Sequence, residues 1–249
     1  MQRLGVVARI WFALIALVVL AGFVVQFYLL FTGGADANSG ETGSAVPLGI
    51  RFVRLFSFFT IQSNLLVLAG SALLASKTRL GRVGRVLFLD ALLGIIITGL
   101  VFSFILAPDL ELRAEAVFVS NLFHLITPTM FVIGWLLFGP RRQFTITTVA
   151  WALAWPAAWL VGTFVRGAVT GWYPYPFLDA NVVGYPAALT GAGIVILVAA
   201  TLMAVVLLID NKVPAVRTHP RPEELSQAGV DGAGSLSGAD RGAPSLDPK

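Results

Sequence analysis

Six long apolar runs separated by short polar punctuation make up most of the chain. They cover 10–31, 55–75, 86–106, 117–138, 146–165 and 187–209, each near the roughly 20 residues a helix needs to cross about 30 Å of hydrocarbon. Backbone polar groups in lipid must pair inside the protein, which leaves helices or a closed barrel. The strict alternation of a barrel strand is missing. The pattern predicts an all-α fold, a polytopic membrane bundle of six transmembrane helices spanning 1–212. The connections are short and rich in Gly, Pro and charge, with no room for a separate soluble domain. From 213 to 249 the chain turns to Pro, Gly, Ser, Ala and Asp, a composition that cannot bury a core and predicts a disordered cytoplasmic tail.

The first run follows Arg3 and Arg9 and precedes Ala35-Asp36-Ala37, as a secretory leader would. Its length decides against that reading: a leader's apolar region is about 7–15 residues and this run is about 22, enough to span.

Composition agrees. Of 249 residues, 57% are hydrophobic and 12% charged, and the mean hydropathy is +0.85, a surplus that a soluble core does not need. The absence of cysteine rules out disulfides and thiolate metal sites. No metal-binding or nucleotide-binding motif is present, so no cofactor and no metal are expected.

Charge placement orients the bundle. One set of loops receives Arg3, Arg9, Lys77, Arg79, Arg82, Arg85, Arg141, Arg142, Lys212, Arg217 and Arg221. The alternate set receives only Arg51, Arg54, Arg113 and Arg166, with Asp36, Glu41, Asp109, Glu111, Glu115 and Asp179. The basic set is expected in the cytoplasm, with both termini, in the cell membrane. The net charge of +4 is thereby an orientation signal: the partners expected are membrane lipids, and no nucleic acid.

Polar residues inside the runs are few. Arg9 and Arg54 sit near helix ends, where they can snorkel. Asp90 lies one turn inside the third run, where a proton relay and pairing with Arg82, Arg85 or another loop arginine are the two readings, and pairing is the simpler. In the second run Ser57, Thr60, Asn64 and Ser71 recur at three-, four- and seven-residue steps and so share a helix face, with Gln62 and Ser63 beside them. The fourth carries Ser120, Asn121, His124 and Thr127, then Pro128. Thr60 lies about 8 Å and His124 about 10 Å below the outer ends of their runs. A hydroxyl and an imidazole at one depth are the parts of a nucleophile and its general base. The bland alternative is interhelical hydrogen bonding, worth about 0.6 kcal/mol per contact. Trp151, Trp155 and Trp159 form a stripe read as packing or lipid contact, with a kink expected at Pro156. Trp172, Tyr173 and Tyr175 lie in an aromatic and proline-rich loop expected to anchor at the headgroups or to form an outer lid.

These same residues carry a resemblance. Phe59-Thr60-Ile61, Asn121-Leu122-Phe123-His124 through Thr127-Pro128, and Gly171-Trp172-Tyr173-Pro174-Tyr175-Pro176-Phe177-Leu178 resemble, in order, three segments of the androgen-induced membrane protein family and its bacterial six-pass relatives. The animal members are threonine hydrolases of fatty acid esters of hydroxy fatty acids. The resemblance implies a lipid-ester substrate, Thr60 as nucleophile and His124 as its base. Asn64, Ser120, Asn121 and Thr127 are the candidates for substrate or oxyanion support. Asp90 lies about 18 Å away along the membrane normal, so a dyad is expected rather than a triad. The competing reading is a non-catalytic protein that binds or transports a lipid or small solute.

Overall fold

The computed structural model describes residues 5–76 and 80–213, and the expected disordered tail lies outside them. Its helices are α1 (Val6–Thr32), α2 (Leu48–Ser57), α3 (Phe59–Ser76), α4 (Arg82–Val101), α5 (Ala114–Asn121), α6 (Thr127–Phe138), α7 (Ile146–Ala152), α8 (Ala154–Thr170) and α9 (Ala180–Lys212). Two π-helical turns, Phe102–Leu106 and Leu122–Ile126, extend α4 and join α5 to α6. Among the described residues no strand forms beyond one isolated bridge, Ala35 to Thr42. Six helical stretches are long and apolar enough to cross a membrane.

Spacing explains which face each helix buries. On α1 the inward positions Ala8, Phe12, Ile15, Val19, Phe23, Gln26 and Leu30 recur every three or four residues. The outward positions Ile10, Leu14, Leu17 and Val24 are equally apolar but exposed, as a face against lipid requires. Phe88, Leu89, Ala91, Leu92 and Ile95 of α4 are fully buried, and this helix lies against α3, α6, α7 and α9. The first four spans are 39–50% buried, the last two only 17%. The bundle is therefore a tight inner set of four with two peripheral helices, and a seam between the sets.

Three interruptions refine the expected spans. The second run is not one helix: Phe58 is extended (φ −68, ψ 130) and separates α2 from α3. The fifth breaks at Leu153 (φ −70, ψ −18), because Pro156 offers no N–H to the Ala152 carbonyl and its ring crowds it. The last begins earlier than expected, at Ala180, but breaks at Gly184 (φ 78, ψ 153) before restarting at Pro186; only glycine holds that conformation without strain.

The loops gather at two ends. At one, Arg51 donates to the Leu30 carbonyl, Arg54 pairs with Glu41 at 3.7 Å and packs on Trp172. There Asp36 accepts from Gln26 (3.0 Å) and Asn38 (2.8 Å); burial pushes its carboxyl upward against those bonds. At the other, Arg9 donates to Ala75 (2.7 Å), and the buried Asp210 accepts from the Gln143 amide at 2.9 Å. Asp90 forms no ion pair with Arg82 or Arg85, so the pairing expected with these two is not found, while the loop arginine Arg79 lies outside the described residues.

α1 packs tightly on the fourth span at Gly22, where an added Cβ would lie 2.5 Å from Phe123 Cε1. Gly22→Val is expected to destabilise the bundle by about 1–3 kcal/mol through overpacking, read as a lower melting temperature in detergent.

Candidate active site

The site grows from the break at Phe58. An extended residue there makes Phe59 and Thr60 the first residues of a new helix, whose first amides have no carbonyl to reach. Phe58 has no side-chain oxygen to cap them. The cap arrives from far along the chain: the Thr60 N–H donates to the Tyr175 hydroxyl at 3.3 Å. Tyr175 Oη also lies 3.4 Å from Thr60 Oγ1.

On its other side Thr60 Oγ1 is 3.3 Å from His124 Nε2. Both side chains are buried, at 3% exposure each. The opposite ring nitrogen, Nδ1, lies 3.0 Å from the carbonyl of Ser120 and 3.1 Å from the Ser120 hydroxyl. A carbonyl only accepts, so Nδ1 carries the proton and Nε2 presents its lone pair to the threonine. The π-turn at Leu122–Ile126 widens the helix at this point and leaves the carbonyl one turn back within reach of the imidazole. The second π-turn begins at Phe102, whose ring stacks on His124 (centroids 3.8 Å apart, 14° between planes). The two irregular turns meet face to face at the imidazole.

The remaining residues singled out from sequence divide. Ser120 belongs to the site. Asn64 supports it from below: its Nδ2 donates to the carbonyls of Thr60 (2.9 Å) and Phe123 (3.3 Å), so those hydrogens are not aimed at a substrate. Asn121 is exposed and lines a separate cleft of about 310 Å³ with Phe102, Leu110 and Ser120. Thr127 is buried, and its hydroxyl makes no bond to the pair. Ser57 leaves the polar face altogether: it ends α2, bonds the Val53 carbonyl and receives Arg166. Gln62 accepts from Trp155 Nε1 at 2.8 Å.

The aromatic loop acts as a roof. Trp172 is flanked by the guanidiniums of Arg54 and Arg166, 5.0 and 4.6 Å from its ring, and meets Phe58 edge-on. Tyr173 turns away and packs on Phe164. Tyr175 points inward, stacked on Phe177, and its burial pushes the phenol up to about 12, so it stays a neutral donor. Beneath the roof an apolar slot of about 100 Å³ opens beside Thr60 between the inner four spans and the peripheral pair. Phe59, Phe102, Trp159, Tyr175 and Val195 line it. Within the tryptophan stripe, Trp155 stacks on Phe59 at 4.7 Å and Trp159 meets Phe59 edge-on, whereas Trp151 is 67% exposed.

Sequence reasoning placed Tyr175 in a lid and missed its contact with Thr60, which depends on a loop 115 residues away. It also missed the Ser120 carbonyl, since a backbone acceptor has no sequence signature. The fold defines an all-α protein with six helices able to cross a membrane. Comparison of the chain with protein-family models, with curated proteins and with solved structures returns no match.

Tyr175→Phe leaves the Thr60 N–H without its buried acceptor. The expected cost is about 1–3 kcal/mol, seen as a lower detergent melting temperature than that of a Tyr28→Phe control, whose side chain is exposed.

Proposed function

We propose that the chain is an integral membrane hydrolase of fatty acid esters, seated in the cell membrane with both termini cytoplasmic, in which Thr60 is the nucleophile and His124 its general base. The observation that carries this reading is the contact between Thr60 Oγ1 and His124 Nε2, with Nδ1 engaged behind it by Ser120. A threonine hydroxyl becomes nucleophilic when a neighbouring base takes its proton, and an imidazole acts as that base when its tautomer is held. The Ser120 carbonyl fills the orienting place that a carboxylate holds in a triad. The resemblance to the androgen-induced family supports the same roles.

The proton on Thr60 Oγ1 passes to Nε2 as the oxygen attacks the ester carbonyl. The C–O bond to the alcohol then breaks, the alcohol leaves with that proton, and an acyl-threonine remains. Water, deprotonated by the same nitrogen, attacks the acyl carbon; the acid departs and Thr60 recovers its hydrogen. Negative charge on the carbonyl oxygen during each addition needs donors fixed in advance. The Tyr175 hydroxyl, 3.4 Å from Thr60 Oγ1, supplies one, a role that Asn64 and Asn121 are not placed to fill. The positive end of the α3 dipole favours the same charge. The slot beside Thr60 takes the acyl chain.

Purified protein is expected to hydrolyse a fluorogenic medium- or long-chain ester. Thr60→Ala and His124→Ala should each reduce the rate per folded molecule by about 10³-fold or more, and Tyr175→Phe by about 10²-fold. Wild-type activity in Thr60→Ala, or a wild type inert on a broad ester panel, would favour the binding-protein reading.

Orientation is checked separately. Single cysteines at Glu41 and Glu111, both exposed, are expected to react with an impermeant thiol reagent on intact cells. Cysteines at Arg82 and Lys212 should react only after permeabilisation; the reverse pattern would invert the topology.

A further inference from the structure

At the end of the bundle opposite Tyr175, a cavity of about 680 Å³ lies between the first turn of α4 and the start of α7. Arg82, Arg85, Thr145, Thr147, Thr148 and Trp151 line it. Nothing in the ester chemistry uses it, and it lies outside the polar clusters of Thr60 and His124.

The electrostatics of this cavity are one-sided. No described carboxylate lies within 4.0 Å of Arg82 or Arg85; among the described residues the one ion pair is Arg54 with Glu41. Arg85 Nε is buried and has no hydrogen-bond partner. The first turn of α4 contains no acidic residue and its N-cap, Gly81, has no side chain to offer, so the arginines stand at the positive end of a helix where cations are disfavoured. Such an arrangement is stable when an anion shares the space. The rest of the wall is suited to one: Thr147 is exposed and adds a hydroxyl donor, and two guanidiniums offer forked donors that match phosphate oxygens.

The rim identifies what carries that phosphate. Trp151 is 67% exposed and Val83 71%, and both line the charged pocket, so large apolar side chains flank it. The break at Leu153 separates Trp151 from Trp155 and Trp159, which pack inward on Phe59. An indole at the headgroup level beside basic side chains is the arrangement by which membrane proteins hold anionic lipid. A free phosphate has no use for the apolar rim.

We propose that the cavity between α4 and α7 is a binding site for the phosphate headgroup of an anionic phospholipid from the leaflet on the basic side, with Arg82 and Arg85 as its principal donors. The site is independent of catalysis at Thr60, and its test needs no turnover.

The experiment is thermal melting of the full-length protein in neutral detergent micelles. The additions are phosphatidylglycerol, phosphatidylcholine or inorganic phosphate at matched concentration. Phosphatidylglycerol is expected to raise the melting temperature by about 3 °C or more, with phosphatidylcholine and inorganic phosphate near zero. Arg82→Gln/Arg85→Gln should melt normally without lipid and lose the shift. Arg142→Gln/Lys212→Gln, which removes two charges from the same end, should keep it. If the double variant does not melt cooperatively, Arg82→Gln alone, at an exposed position, is expected to remove at least about half the shift. No shift in the wild type would overturn the proposal, as would an equal shift with inorganic phosphate or an undiminished shift in the arginine variants.

Discussion

In hydrocarbon a backbone N–H that leaves its helical ladder has no water to turn to, and the break at the buried Phe58 creates such groups at the start of the second span. Everything at the candidate site follows from how they are satisfied. The Tyr175 hydroxyl has to reach the first turn of α3, so the loop carrying it has to fold down over the bundle. That descent fixes Trp172 between two arginines and sets the roof of the apolar slot. Removing the break would make α2 and α3 one regular helix, with the Thr60 amide inside the ladder and Tyr175 without a partner.

The π-turns express the same economy. Each replaces a stretch of regular bonding with a wider turn. The widening places the His124 imidazole against the carbonyl of its own preceding turn and puts Phe102 flat against its face. A straight α-helix would aim the histidine in much the same direction but would give Nδ1 less access to that carbonyl. The orienting acceptor at this site thus comes from helix geometry, where a carboxylate would have to be desolvated in lipid.

The six spans were legible in the sequence because hydrophobic length is a one-dimensional property. Thr60 and His124 were legible as well, since matched depth on two helices can be counted at 1.5 Å per residue. Rotation about the helix axes was less so. With both faces of α1 apolar, no contrast told Phe12 from Leu14, and Asn121 was grouped with His124 although it looks into a different cleft. The Phe58 break carried no proline or glycine to announce it. By contrast, Pro156 marked its interruption in advance through a known restriction of the backbone, whereas the break at Gly184 was not anticipated.

Phe102 belongs to two spaces at once. One face closes the apolar slot beside Thr60 and the same ring borders the more open cleft that contains Ser120 and Asn121. A single aromatic ring is therefore the partition between a dry chamber and a wetter antechamber, with the imidazole pressed against it. In the proposed hydrolysis, water arriving from the cleft side would have to pass this one side chain to reach the dry chamber.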